Sequence, residues 1–363
     1  MPQLPLRRLF FGPPATPDRI GLYTFWFRGH NNARYSELFP RLARLDYHLL
    51  TFTDQRLLRG LQYKTWRATH EATDPLVLRA ASRRYRALLT TDPAQIALFP
   101  GPIVCDVDDP KYSPREVELL SRPNVRGYVV TAERAARRFE ELGLRTASYV
   151  VPQGAGLSSV SEGEIAAVRR ARRDVPLVVG YVAAWLLWEG DRGGSNPLYN
   201  AEHLLGLWNE IHERVPEAKL WLIGGASNRV RRVLAGRDDV VLFGRLPRDR
   251  SLAHVANFDI GLYPRAVDQG IRSAKIAEYL GFGVPTVSYD YEVTSELHDT
   301  GAGVLVRTPR EFVGAVERLA RDEGERRRLG AAALAAGRER DWDVLAARFA
   351  EILDERLPSG EAA

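Results

Sequence analysis

Cysteine is nearly absent from this 363-residue chain, where Cys105 stands alone. A single thiol excludes an intramolecular disulfide framework and a cysteine-built metal site. It also makes a reducing compartment, the cytosol, the simplest expectation. Lysine is scarce as well: Lys64, Lys111, Lys219 and Lys275 are the only four among 51 basic residues. Chemistry that needs a lysine therefore has four places to sit. No apolar run approaches the ~20 residues that span a bilayer, and the longest, around Leu177–Trp188, is broken by Gly180. The opening MPQLPLRRLFFGPP carries charge but no signal-type apolar stretch, so no secretory signal is expected. No G-x-G-x-x-G follows a strand-like segment, which argues against a dinucleotide-dependent dehydrogenase. No repeat of 20–50 residues is visible, which argues against a solenoid.

The composition that remains is 45% hydrophobic and 27% charged, enough for packed cores in about two domains of ~150 residues each. The net charge of +5 hides an asymmetry, because residues 1–175 sum to +9 and residues 176–363 to −4. A basic front and an acidic back suggest two domains with different partners, although composition bias would produce the same sum. Charge without a motif is no case for nucleic-acid binding.

Strand-like and helix-like segments alternate twice along the chain. In the first half, Arg19–Phe27, Tyr47–Phe52, Arg86–Thr90, Ile103–Cys105, Gly127–Val130 and Ser148–Val151 read as strands. Arg34–Arg44 and Ala132–Leu142 read as helices between them. In the second half the expected strands are Leu177–Ala183, Lys219–Ile223, Val240–Phe243, Ile260–Tyr263 and Pro285–Ser288. Helices are expected over Asn200–Val215, Ser273–Phe282, Glu311–Leu319, Glu323–Glu339 and Trp342–Leu357. This alternation implies an α/β protein built from parallel sheets. The expected organisation is a Rossmann-like domain over 1–155, a linker over 156–176 and a second Rossmann-like domain over 177–341. The helix at 342–357 is free to pack back on the first domain. Ligands belong at the carboxyl ends of the strands, in a cleft between the domains.

The densest chemistry lies in Asp268–Ser288, DQGIRSAKIAEYLGFGVPTVS. A loop with Gly270 leads into a helix starting near Ser273, whose unpaired amides form an anion site. Arg272 and Lys275 add positive charge, and Glu278 lies one turn beyond Lys275 on the same face. A diphosphate at the helix start and vicinal hydroxyls at Glu278 would both be satisfied. The residues alone also fit a plain surface helix with an i,i+3 Lys–Glu pair.

This block resembles the donor segment of GT-B glycosyltransferases, especially the retaining family 4 enzymes. The likeness is carried by Ser273, Lys275, Glu278, Tyr279 and Leu280, followed by Gly283, Val284, Pro285, Thr286 and Val287. The resemblance implies two Rossmann-like parallel-sheet domains facing a cleft, and transfer of a sugar from a nucleotide-diphosphate donor with retained configuration. It assigns ribose contact to Glu278, and diphosphate and sugar contact to Arg272, Ser273 and Ala274. One departure stands out: the pattern's earlier glutamate falls on Gly270, leaving Asp268, Gln269 or backbone to replace it. Lys219–Gly225 resembles the strand whose closing glycine, Gly225, lies beside the phosphates, and Leu246 marks the stretch that cradles the base. The loop Trp185–Asn196, which in many relatives holds an arginine and a lysine, offers Arg192 and no lysine.

In the first half, Arg28–Arg34 resembles the acceptor-side loop, with Gly29 near the donor sugar, His30 as proton shuttle or hydrogen-bond donor, and Asn31 as a sugar contact. Asp106, Asp108 and Asp109 follow a strand. They invite a hard cation, but the resemblance favours Asp106 and Asp108 as contacts to sugar hydroxyls and no metal. Tyr149–Gly154 resembles the turn that ends the first domain. The expected catalytic set is Arg272, Lys275, Arg192 and His30, with no tightly bound cofactor. Arginines and aromatics near the front of the chain suggest a phosphate-bearing or lipid-linked glycan acceptor, approached from the cytoplasm, with peripheral contact to an anionic membrane. The competing functions are a non-catalytic sugar-nucleotide-binding or assembly subunit, a nucleotide-sugar epimerase, and a phosphorylase, which four lysines disfavour.

Overall fold

The computed structural model describes residues 19–24, 34–46, 63–191, 200–265, 267 and 273–358, with backbone alone for 63–71. The chain divides into two compact units, Met1–Pro152 with Leu345–Ala363, and Gln153–Val344. Residues 156–176, expected as a linker, hold a helix and lie in the second unit.

The first unit is built on a six-stranded sheet of β1 (Ile20–Tyr23), β2 (Leu45–Asp46), β3 (Leu88–Thr90), β4 (Ile103–Val107), β5 (Val125–Val130) and β6 (Ser148–Val150). Their order is β2-β1-β3-β4-β5-β6, and every pairing is parallel. Strands covered on both faces read as continuous apolar runs, and Ile103–Val107 is buried at all five positions. The helices α1 (Tyr63–Ser82), α2 (Pro114–Leu120) and α3 (Glu133–Glu141) connect them. Helix α1 escapes a periodicity reading because Pro75 interrupts it and its apolar stripe is weak. The expected strand Tyr47–Phe52 lies outside the described residues. Arg34–Arg44 is less regular than an α-helix, with one wide turn over Arg34–Leu38 and a tight turn over Phe39–Arg41.

The irregular turn has a cause. Arg34 is wholly buried, and its guanidinium grips Asp106 with two bonds, Nε to Oδ2 and Nη2 to Oδ1, both 2.7 Å. Nη1 donates to the carbonyls of Val151 at 2.9 Å and Pro152 at 3.2 Å. Burial alone would pull the guanidinium down; the charge and hydrogen bonds of Asp106, with the charge of Asp108, outweigh it and hold the pKa up. Carbonyls and carboxylate together occupy most of the fork's five donors, as a buried charge requires.

The second unit repeats the plan with β7 (Leu177–Leu186), β8 (Ala218–Ala226), β9 (Val240–Gly244), β10 (Ile260–Tyr263), β11 (Thr286–Tyr289) and β12 (Gly303–Val306). The order is β12-β11-β10-β7-β8-β9, again parallel throughout. Its helices are α4 (Glu162–Ala171), α5 (Ala201–Arg214), α6 (Asn228–Leu234), α7 (Arg248–Val255), α8 (Ala274–Gly281), α9 (Glu296–Asp299), α10 (Pro309–Arg321) and α11 (Glu323–Arg338). Capping boxes at Ser161 and Thr308 satisfy the first amides of α4 and α10, each worth ~1 kcal/mol. Gly224, at φ 142°, lets β8 approach β7 so closely that a Cβ would lie 1.8 Å from the Ala183 carbonyl. The last helix, α12 (Trp342–Arg356), enters the first unit from Leu345 onward, where Phe349 meets Phe39 edge-on at 6.1 Å.

Asp106→Ala leaves the Arg34 charge buried without its carboxylate, so stability should fall by about 3–5 kcal/mol. Urea unfolding would measure this; a loss below about 1 kcal/mol would show that the pair does not hold the first unit together.

Candidate functional site

The carboxyl ends of β10, β7, β8 and β9 lie side by side in the second sheet, and α8 begins beside them. Ser273 caps α8, its Oγ accepting from the Lys275 amide at 3.4 Å. Every residue from Lys275 to Gly281 is buried. The helix is anchored by Tyr279, whose hydroxyl accepts from the Val182 amide on β7 at 3.2 Å and donates to the Leu262 carbonyl on β10 at 3.4 Å.

Lys275 is only 9% exposed. Its Nζ lies 5.5 Å from the ring centre of Tyr181 and 6.0 Å from that of Tyr263. The Arg265 guanidinium lies 5.0 Å from the Tyr263 ring centre, so two cations share one aromatic face-forming residue. Burial, and then the charge of Arg265, push the ammonium well below the usual lysine range, against the opposing pull of Glu278. Glu278 is itself buried and ion-paired with Arg248, the first residue of α7. Two cations held close in a low-dielectric setting repel each other, and an anion placed between them relieves that repulsion. Aromatic rings supply part of the compensation through cation–π attraction.

Gly225 closes β8 beneath the Trp185 ring, where a Cβ would fall 2.8 Å from a ring carbon. The Arg245 guanidinium lies 5.0 Å from the centre of the same indole. Leu246, one residue further, is half-buried against the cluster of Val178, Trp221, Ile223 and Phe258. The structure thus brings Ser273, Ala274, Lys275 and Glu278 together on one helix, and sets Gly225 and Leu246 on the neighbouring strand ends. Arg272, Gly270, Arg192, His30, Gly29 and Asn31 lie outside the described residues.

Sequence reasoning passed over Arg265, Arg248, Tyr181, Tyr263, Trp185 and Arg245. The available signal was position: each lies at or just beyond the carboxyl end of an expected strand, or opens the following helix.

Asp106 and Asp108 belong to the first unit. Both Asp106 oxygens accept from Arg34 and the side chain is wholly inaccessible, so no sugar hydroxyl reaches it. Its low exposure follows from being in the middle of the sheet, a fact that the Asp-x-Asp-Asp spacing does not disclose. Asp108 lines a cavity instead, and Asp109 pairs with Lys111 at the surface. Among the described residues no cluster of three or more histidine, cysteine or carboxylate side chains could hold a metal ion. Nor does any described helix have the length and apolarity to cross a membrane. Of the front arginines, Arg34, Arg41 and Arg44 are ion-paired with Asp106, Glu37 and Asp354; Arg7, Arg8 and Arg28 lie outside the described residues.

Lys275→Met should raise the unfolding midpoint of the unliganded protein near neutral pH, since it removes a buried charge. The unfolded chain binds the Lys275 proton more firmly than the folded one. Stability therefore rises with pH between the depressed folded pKa and the ordinary value near 10.5. Thermal midpoints recorded from about pH 7 to about pH 10 should show a flatter pH dependence in the variant; an unchanged slope would mean Lys275 is not held unfavourably.

Residues 193–322 match the family described as glycosyl transferases group 1. No curated protein matches the chain by sequence. Among solved structures, HepE from Anabaena in complex with UDP is similar at 16% identity, covering 93% of this chain and 100% of that one, with a TM-score of 0.70. A UDP-forming trehalose-phosphate synthase from Burkholderia xenovorans is similar at 12% identity over 90% and 85% of the two chains, TM-score 0.61. Sucrose-phosphate synthase from Thermosynechococcus elongatus is similar at 13% identity over 80% of each, TM-score 0.58. At such identities these likenesses speak for the fold. The chain thus carries a glycosyl transferases group 1 domain over residues 193–322, lying across the α8 site, and its two all-parallel six-stranded units share the fold of GT-B glycosyltransferases.

Proposed function

We propose that the chain transfers a glycosyl group from a nucleoside-diphosphate sugar to a hydroxyl of an acceptor, with retention of configuration. The observation that carries the donor reading is the pair of neighbouring cations, Lys275 and Arg265, beside the start of α8. HepE, similar in fold, was solved with UDP and with UDP-glucose, which supports a nucleotide donor here.

In this reading the diphosphate lies against Lys275, Arg265 and the Ser273–Ala274 amides, and relieves the repulsion that the unliganded site contains. Glu278, oriented by Arg248, accepts from the ribose hydroxyls; a carboxylate has acceptor sites to spare for both. The base lies towards Leu246. The bond from the anomeric carbon to the diphosphate oxygen breaks as the acceptor oxygen bonds to the same face of that carbon. The acceptor's proton passes to the departing diphosphate. Charge develops on that leaving group, so Lys275 and Arg265 act most strongly in the transition state. By sequence resemblance Arg272 and Arg192 are proposed to share this task, and His30 to serve as a hydrogen-bond donor on the acceptor side. Charge neutralisation by protein cations also leads us to propose metal-independent turnover.

Released nucleoside diphosphate, measured over a panel of nucleotide sugars with and without acceptor glycosides, tests the function. Turnover should survive exhaustive chelation, and Arg265→Ala should lower kcat by about 100-fold or more with a smaller effect on donor affinity. Donor binding without any turnover would favour an assembly subunit; strict dependence on added magnesium would overturn the metal-independent reading.

Diphosphate binding should raise the Lys275 pKa towards its ordinary value, so binding takes up protons above the depressed pKa of the free site. Calorimetry in two buffers of different ionisation enthalpy should therefore give different apparent enthalpies, and affinity should weaken as pH rises. Equal enthalpies in both buffers would remove Lys275 from the diphosphate site.

A further inference from the structure

We propose that the second unit docks on an anionic lipid bilayer through the outer face of α6 and the arginine that follows β9. The proposal goes beyond the transferase reading and does not depend on it. The second half of the chain sums to −4, yet its residues 226–250 hold seven arginines against three aspartates. That stretch contains α6 and β9, the outermost strand of the sheet on that side.

Ion pairing separates these arginines. Arg237 is held by Asp239, and Arg248 by Glu278. Arg229, Arg231, Arg232 and Arg245 are exposed, and among the described residues none of the four pairs with a carboxylate. The first three donate instead to backbone carbonyls, of Glu189, Ala226 and Asn228 in turn, at 3.4, 3.3 and 3.4 Å. A guanidinium has five N–H groups, so one carbonyl leaves most of each fork for another acceptor. The Arg229 guanidinium also lies 5.1 Å from the ring centre of Trp188, as Arg245 lies over Trp185. Exposed acids flank α6 at Glu189 and Asp238, and four arginines outnumber them.

Shape and composition favour a lipid surface over a protein segment. Val230 and Leu234 bury the inner face of α6 in the core. The arginines and Val233, 39% exposed, therefore form its outer face. An outer helix face is convex and offers a peptide no groove, whereas a bilayer is a broad field of headgroup charge. Arginine forks bind phosphate with two parallel hydrogen bonds. Each arginine held near an anionic leaflet strengthens partitioning about fivefold. Arg229, Arg231 and Arg232 lie within one helical turn, so their fields add. Four arginines stand at the low end of the ~4–8 that hold a segment on such a leaflet, which makes the attachment reversible and salt-sensitive. Helix α6 starts at the carboxyl end of β8, the edge that also carries Gly225, so docking holds the donor-binding edge of this unit near the lipid.

Flotation with vesicles of phosphatidylcholine, alone or mixed with phosphatidylglycerol, tests the surface without donor or acceptor. The protein should bind the mixed vesicles at low salt, leave them as salt rises, and ignore the neutral ones. Arg229→Ala, Arg231→Ala and Arg232→Ala combined should weaken binding about 100-fold, and alanine, the best helix former, keeps α6 folded. Arg86, Arg126 and Arg145 of the first unit are exposed as well, but on three separate strands or the loops before them. Their combined replacement by alanine removes the same charge and should leave binding within about twofold, since charges beyond a Debye length are screened. Retained binding in the α6 variant, an equal loss in the first-unit variant, or no binding to mixed vesicles would overturn the proposal. So would tighter binding to polyglutamate than to the vesicles, which would assign the surface to an acidic protein. Vesicle binding with no turnover on any donor would count against the transferase reading and leave the docking surface standing.

Discussion

The fork between Arg34 and Asp106 sets the geometry of the first unit's carboxyl edge. One planar guanidinium connects the turn after β1, the end of β4 and the carbonyls of Val151 and Pro152. Lysine could not do this, since a single ammonium lacks the flat array of donors needed to reach a carboxylate and two carbonyls. The residues flanking the pair then inherit their positions. Tyr35 follows Arg34, and Val107 to Asp109 follow Asp106, and all four line a 330 Å³ cavity at the carboxyl ends of β3 and β4. A buried pair of this kind contributes little net stability over an apolar substitute. What it contributes here is placement.

The two units treat charge in opposite ways. The second half of the chain is acidic in sum, yet its site carries Lys275, Arg265, Arg248 and Arg245 against Glu278. The first half is basic in sum, yet among the described residues the cavity at the ends of β3 and β4 is lined by four carboxylates and two cations. Summed charge governs solubility and long-range attraction; a binding site responds to the few groups within one Debye length, and most strongly to those with little water between them. The unliganded second unit bears the cost of a depressed ammonium, offset by aromatic rings and by the apolar packing of α8 against its sheet.

Much of the second unit was legible in the residues. Buried strands such as Ile260–Tyr263 announce themselves as short apolar runs between breakers, and Ser273, Lys275 and Glu278 advertise a helix start by local spacing. Helix α1 was not legible, because Pro75 and a weak apolar stripe hide it. Arg265 was not legible either. It follows Pro264 in an unremarkable stretch, and its significance comes from meeting the Tyr263 ring beside Lys275. Asp106 was legible as a strand-end carboxylate and misleading as a sugar contact, since its partner lies 72 residues away.

The sequence by itself determined the alternation of buried strands with amphipathic helices, and from it the parallel sheets whose carboxyl edges carry the chemistry. It also determined the order of groups along α8, because a helical turn brings residues three apart onto one face whatever surrounds them. Tertiary structure alone decided which charges are spent and which are offered. Arg34 disappears into an ion pair, Glu278 is oriented by Arg248 through Oε1, and Lys275 is desolvated against Tyr181 and Tyr263. Such outcomes depend on water removed and on partners brought in from distant strands, and neither quantity is written in local spacing.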